Sequence, residues 1–322
     1  MKSPTPSLTI IGDVGVDLVL GPISGWPKVG TETLVERSEL RAGGSAGNTA
    51  LAVNYLGEQS RLLSLVGNDD FGPWLTEQFG SLNASLPVCD APTSMSIGFI
   101  HDVGERTFFT TRGHLEQLTY EHVRPHLRPA AHVDSMVMLS GVFLTPQLRA
   151  SYAQVIDEIA SLGYQVALDT GWPPGNWSEH VREEVSQWLA KCDHVLLNEL
   201  EVASLANRED LESAIPRVAR LLKPGASLIV KTGARGALGI ESGRRLEYRA
   251  AQFNVFDTIG AGDSFNAGYL LSRLQGGDLS HSLMAGCKAA ASIISRFPRR
   301  QIQPGELADR IASPLAMLAQ QP

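Results

Sequence analysis

The segment Asp257-Thr258-Ile259-Gly260-Ala261-Gly262-Asp263 carries the clearest chemistry in this 322-residue chain. Gly260, Ala261 and Gly262 run straight into a helical pattern, and such small residues leave the backbone N–H groups of a helix N-terminus open to an anion. An acidic side chain beside that anion hole repels a bound phosphate unless it has a task of its own. The task that fits is taking a proton from a hydroxyl that attacks phosphorus, which makes Asp263 a candidate general base. The plainer alternative is that Asp263 only caps the helix.

A second glycine-rich helix entry is Gly43-Gly44-Ser45-Ala46-Gly47-Asn48. Its Gly-x-Ser-x-Gly spacing matches a hydrolase nucleophile elbow, but that elbow needs a hydrophobic strand before it, and Ser38-Glu39-Leu40-Arg41 is polar. Asp169-Thr170-Gly171 imitates half of an aspartic-protease site and has no second copy, so it reads as a strand end near a ligand cleft. Asn198-Glu199-Leu200-Glu201 puts an amide and two carboxylates after an apolar strand, oxygen ligands suited to Mg²⁺ held mostly through water; a solvated helix start is the alternative. Lys231-Thr232-Gly233-Ala234-Arg235-Gly236 closes another strand with two glycines that allow close approach to a nucleotide, and Val230 before Lys231 excludes a Walker A loop. His122 and His126 are four apart, but Pro125 lies between them and no acidic third ligand is nearby, so they read as solvent-facing rather than metal-binding.

Positioning these groups requires a repeated β-α pattern. Strand-like runs at 8–11, 61–66, 135–139, 164–168, 194–197 and 227–230 alternate with helical patterns at 46–56, 71–82, 146–162, 177–190 and 211–222. Such alternation predicts a parallel sheet covered on both faces. Two β-rich interruptions, 31–40 and a hairpin-like 94–111, are expected to form a small accessory sheet. Helices are expected at 263–274 and 280–295, with a moderately helical tail beyond. No linker or repeat divides the chain, so a single α/β domain over 1–322 is expected.

Composition narrows the partners. With 43% hydrophobic residues the chain can bury a large core, and 31 Gly with 18 Pro spread along its length argue for many short connections rather than a low-complexity tract. A net charge of −7 disfavours nucleic-acid binding. Three scattered cysteines offer no disulfide framework or cysteine zinc site. No apolar run is long enough to span a membrane and no signal peptide is visible. A small-molecule partner and a cytoplasmic location are the expectations.

Taken together, the motifs resemble the PfkB, or ribokinase-like, family of carbohydrate and nucleoside kinases over nearly the whole chain. The resemblance rests on Gly12-Asp13 with Asp17, Gly43-Gly44 to Asn48, Asn198 to Glu201, Thr232-Gly233 to Gly236, and Asp257 to Asp263, in the family's order. It implies a three-layer α/β/α fold whose mostly parallel central sheet is joined by a small β-sheet lid, formed by residues 14–41 and 93–112. It implies an ATP-dependent carbohydrate kinase that transfers the γ-phosphoryl of Mg-ATP to a sugar hydroxyl. Asp263 would be the base and Gly260, Ala261 and Gly262 the anion hole. Asp13, Asp17, Gly43, Gly44 and Asn48 would bind sugar; Asn198, Thr232, Gly233 and Gly236 would bind nucleotide; Glu201 would hold Mg²⁺ through water. Many members also carry a monovalent-cation loop completed by a Gly-Ala step after the last core helix. Here that place reads Ser295-Arg296-Phe297-Pro298-Arg299-Arg300, leaving Asp257 and Ile259 as candidate backbone ligands of K⁺. The alternatives are a nucleoside kinase, with Phe99, Phe108 and Phe109 as candidates to stack a base, and a non-catalytic sugar sensor. A homodimer paired through the lid edge is expected.

Overall fold

A computed structural model describes residues 5–102, 106–251 and 255–299. The strands are β1 Leu8–Gly12, β2 Gly15–Ile23, β3 Arg37–Gly43, β4 Arg61–Leu63, β5 Asn83–Ser85, β6 Met95–His101, β7 Arg106–Thr110, β8 Met136–Ser140, β9 Gln165–Asp169, β10 His194–Asn198, β11 Ser227–Lys231, β12 Ala237–Glu241 and β13 Arg244–Tyr248. The helices are α1 Ser45–Tyr55, α2 Phe71–Gln78, α3 Tyr120–Val123, α4 Pro146–Arg149, α5 Tyr152–Ser161, α6 Glu179–Leu189, α7 Glu199–Ala206, α8 Leu211–Ala219, α9 Ala261–Leu274 and α10 Leu279–Ile294.

Nine strands form one sheet in the order β13-β12-β11-β10-β9-β8-β1-β4-β5, parallel from β11 to β5 and closed at one edge by the antiparallel β12–β13 hairpin. Side chains alternate across the sheet, so adjacent residues of one strand feed opposite cores. Ile11, Leu139, Leu168 and Val230 pack with α5, α6 and α8, whereas Ile10, Met138, Ala167 and Ile229 pack with α1, α9 and α10. Burial on both faces is why these strands read as continuous apolar runs, and the result is the expected three-layer α/β/α architecture.

The second sheet has four strands in the order β3-β2-β6-β7. β6 and β7 form the expected hairpin, pairing Ser96 with Thr110 and Ile100 with Arg106; its turn lies outside the described residues. β2 and β6 pair in parallel, with β3 antiparallel on the outer edge of β2. Trp26 meets Phe99 and Phe109 edge to face at 5.8 Å, leaving an aromatic cluster on this sheet that is partly open to solvent.

Several expectations need correction. The helix expected over 146–162 breaks into α4 and α5, because Ser151 leaves the helical conformation. The strand expected over 61–66 ends at Leu63, Val66 making only an isolated bridge to Val88. His122 and His126 are half-buried and hydrogen-bonded rather than solvent-facing: His122 completes a capping box with Thr119, and His126 contacts Arg61 and Ser85. The helical tail expected after 295 falls largely outside the described residues. No described helix is long and apolar enough to cross a membrane.

Candidate active site

β1, β8, β9, β10 and β11 all end at one edge of the large sheet, where open α/β sheets leave a crevice for ligands. Asp13, Gly141, Asp169, Asn198 and Lys231 mark those ends, and the N-termini of α1 and α9 face the same crevice.

Asp13 is held by the start of α1. Its two carboxylate oxygens accept from the N–H groups of Ser45 and Ala46, each at 3.0 Å. The chain must pass very close to permit this: a Cβ on Gly141 would fall 2.0 Å from the Asp13 carboxylate, and one on Gly43 would fall 2.1 Å from that of Asp17. Gly44 has φ of 84° and faces the Asp13 carbonyl, so a side chain there is both strained and blocked. The Gly43-Gly44 pair seats two buried carboxylates, and the strand before it, β3, is an antiparallel edge strand of the small sheet rather than the parallel core strand an esterase elbow requires. Burial pushes the Asp17 pKa up to about 7, helped by the charge of Asp13 and opposed by Arg41 and Arg299.

Gly260, in the left-handed region at φ 71°, turns the chain into α9, which places Asp263 in the first helical turn. Asn48 of α1 lies beside the Asp263 carboxylate and favours its charged form. Asp263 is half-buried, and its pKa is pushed up to about 8 by desolvation and then by the charge of Asp169, with Lys231 and Asn48 opposing. Lys231 Nζ donates to Asp169 Oδ2 at 2.6 Å and to Asn266 Oδ1 at 3.3 Å, while Asn266 Nδ2 donates to the same Asp169 oxygen at 2.6 Å. Burial works against the Lys231 charge, but Asp169, Glu201 and Asp263 outweigh it and raise its pKa. Lys231 also lies 3.5 Å from where a Gly262 Cβ would stand, so the ammonium borders the glycine turn itself.

Asn198 and Glu201 form a reciprocal capping box at the start of α7: Asn198 Oδ1 accepts from Glu201 N–H at 2.9 Å and Glu201 Oε2 from Asn198 N–H at 2.7 Å. Both residues thus begin the helix, but not as a solvated start: Glu201 is only 3% exposed, and burial, with Asp169 nearby, pushes its pKa up to about 7. A carboxylate left short of positive charge in this way fits a divalent cation. Among the described residues no group of three or more His, Cys, Asp or Glu is placed to hold a metal directly.

Thr232, Gly233 and Gly236 lie in the turn after β11, where Thr232 N–H donates to the Gly236 carbonyl at 3.0 Å. Gly236 has its own steric reason, since a Cβ there would meet the Tyr248 carbonyl at 2.0 Å, whereas Gly233 faces open space.

Asp257 sits apart from this carboxylate group. Its Oδ2 accepts from Arg37 and Arg41 of β3, each at 2.7 Å, and its Oδ1 accepts from Arg299 at 3.1 Å and from the Ile259 N–H at 3.0 Å. Arg299 also donates to the Ile259 carbonyl. Burial favours the acid form of Asp257, but these guanidinium groups hold its pKa below the ordinary range. A cavity of about 210 Å³ adjoins the cluster, lined in part by Asp17, Arg41, Asn48, Tyr55 and Arg299.

The residues that sequence reading did not assign to the site are Asp169, Lys231, Asn266, Arg37, Arg41 and Arg299. Lys231 and Asp169 did carry a signal, each ending an apolar strand of the parallel sheet.

The α/β/α layers, the accessory sheet and the helix-entry glycine turns define a ribokinase-like fold. The pattern of the pfkB family carbohydrate kinases matches residues 6–300, and the chain belongs to that family. It is 28% identical over 239 residues to a fructokinase of Salmonella typhimurium, covering 71% of this chain and 76% of the relative. It is 26% identical over 290 residues to a 2-dehydro-3-deoxygluconokinase of Escherichia coli K12, covering 82% and 93%. Among solved structures, adenosine kinase from Sinorhizobium meliloti superposes with a TM-score of 0.78 over 99% of both chains at 22% identity.

Proposed function

We propose that the protein is an ATP-dependent carbohydrate kinase transferring the γ-phosphoryl of Mg-ATP to a hydroxyl of a sugar or sugar derivative. The observation that carries this reading is Asp263 in the first turn of α9, directly behind the left-handed Gly260, with a pKa pushed up to about 8. A carboxylate that retains its proton affinity can accept the proton of an attacking hydroxyl, and a positioned base is worth about 10²–10⁴ in rate. The N–H groups of Gly260, Ala261 and Gly262 face the place where charge on the transferred group needs stabilising. Asp13, Asp17 and Asn48, seated by Gly43 and Gly44, supply the paired acceptors and donors that a polyol requires. Asn198 and Glu201 would hold Mg²⁺ through water, and bound there the ion neutralises phosphate charge. Thr232, Gly233 and Gly236 border the nucleotide. Lys231, buried between Asp169 and Asn266, supplies the fixed positive charge nearest the glycine turn. The small sheet acts as a lid over the sugar, excluding water as it closes.

Purified protein tested with Mg-ATP against sugars, sugar acids, sugar phosphates and nucleosides should consume nucleotide with a carbohydrate acceptor. Turnover confined to nucleosides would select the nucleoside-kinase reading, and ligand binding without turnover would select a sensor. The open aromatic cluster of Trp26, Phe99 and Phe109 supports pairing of two copies through the lid, which light scattering in solution reads directly.

A further inference from the structure

The cation loop that the family resemblance implies does not fit this chain. K⁺ needs several oxygen ligands free of other cations, and the candidate oxygen at Ile259 already accepts from Arg299. The same Arg299 nitrogen lies 3.1 Å from Asp257 Oδ1. A Cβ built on Gly260 would stand 3.0 Å from the other terminal nitrogen, so one guanidinium spans Asp257, Ile259 and the residue that caps α9. Its seat is built: Phe297 stacks on Phe256 with ring centroids 5.1 Å apart and planes 9° from parallel, fixing the segment that carries Arg299 against the loop that carries Asp257. Arg41 lies over Phe297 at 4.8 Å and Arg37 over Phe256 at 4.2 Å, bracing the stack from the small sheet.

We infer that Arg299 is a positioning residue that serves as a built-in monovalent cation, holding the Asp257–Gly260 loop in place of K⁺ and making the protein independent of that ion. Guanidinium keeps its charge at every working pH, and its rigid fork satisfies a carboxylate and a carbonyl together, which a spherical ion does through a shell of ligands. A second cation brought to the Ile259 carbonyl would sit against that fixed charge at close range, where like charges repel strongly. Asp263 interacts with the Arg299 charge as well, so the loop, the helix cap and the base share one fixed cation.

The inference rests on the kinase reading only for its activity readout. Melting temperature is measured for the wild type, Arg299→Ala and Arg299→Lys in KCl and in choline chloride of equal ionic strength, and ATP turnover is measured with the best acceptor. The wild type should show no K⁺-specific change in either quantity. Arg299→Ala should lose about tenfold or more in turnover, on the scale of a lost electrostatic contact. K⁺ or guanidinium ion should restore a large part of that loss, and K⁺ should stabilise the variant specifically. Arg299→Lys, which keeps the charge, should remain indifferent to K⁺. K⁺-specific activation or stabilisation of the wild type overturns the proposal whether or not any variant folds. A loss in Arg299→Ala that neither ion restores leaves Arg299 a purely structural role and also overturns it, as does wild-type turnover by Arg299→Ala in choline chloride. If no acceptor is phosphorylated the kinase reading fails, and the melting comparison still decides this one.

Discussion

Asp257 and Asp263 flank the same glycine turn, and burial pushes both toward the protonated acid, yet they end in opposite states. Asp257 faces three guanidinium groups and is held below the ordinary carboxylate range. Asp263 is desolvated and faces Asp169 and Asp13, with Lys231 and Asn48 opposing, and is pushed up to about 8. Charge neighbours, not burial, separate a carboxylate that fastens two parts of the molecule from one able to take a proton. The two states also act on stability with opposite sign. Asp257 contributes stability that is present above its unfolded pKa and lost as pH falls through its lowered folded value. Asp263, raised in the folded state, lowers stability progressively as pH rises from the ordinary carboxylate value toward about 8.

The largest effect expected from breaking this contrast is in Asp263→Asn. Turnover should fall by about 10²–10⁴ while ATP binding persists. Melting at pH 8 should rise by a few degrees, because the amide never has to ionise inside the fold. Unchanged turnover would remove Asp263 from the chemistry. Asp257→Asn should instead lower stability by about 1–3 kcal/mol, the scale for a buried charged hydrogen bond left unmade, because Arg299 loses its carboxylate while Arg37 and Arg41 keep Glu39 as a partner. Urea unfolding reads that loss, and a stability within error of wild type would reduce the arginine cluster to surface decoration.

A subtler test leaves both aspartates in place. The pH profile of kcat/KM reports the free protein's ionisations, so it should rise through a limb near pH 8 as Asp263 loses its proton. Asp169→Asn removes a like charge from its surroundings and frees Lys231, and both changes favour the ionised base. The limb should move to lower pH by about one unit, and an unmoved limb would assign it to another group. The smallest effect is expected at Arg106, an exposed residue of β7 that donates to the Thr258 hydroxyl. Arg106→Ala should cost about 1 kcal/mol or less, read as a change of at most a few fold in acceptor KM.

Much of the large sheet could be read before any coordinates, because parallel strands covered on both faces are apolar without interruption. The β12–β13 hairpin could not: it sits at the sheet edge, and Arg244, Arg245 and Glu247 dilute its apolar character. β2 was similarly hidden, since Gly15-Val16-Asp17 and Gly21-Pro22 punctuate it with turn-forming and polar residues. At the site, Asp263, Asn48, Asp13 and Asp17 stand together as the motifs implied, because each lies at the mouth of a glycine turn whose purpose is local. Lys231, Asn266 and Arg299 escaped assignment for the opposite reason. Their pairing comes from partners far along the chain, such as Asp169 for Lys231, so that even the strand-end position of Lys231 does not reveal which group it meets.

The arginine cluster has a consequence for the order in which the chain can mature. β3 and β7, with Arg37, Arg41 and Arg106, have all been synthesised by residue 110, whereas Asp257 and Arg299 lie near the other end of the chain. A ribosome adding about 5–20 residues per second needs roughly 7–30 s to travel from residue 110 to Asp257. Throughout that interval Arg37 and Arg41 have Glu39 as a partner but not Asp257. The contacts that join the small sheet to Asp257 can therefore form only after most of the layered core has been made.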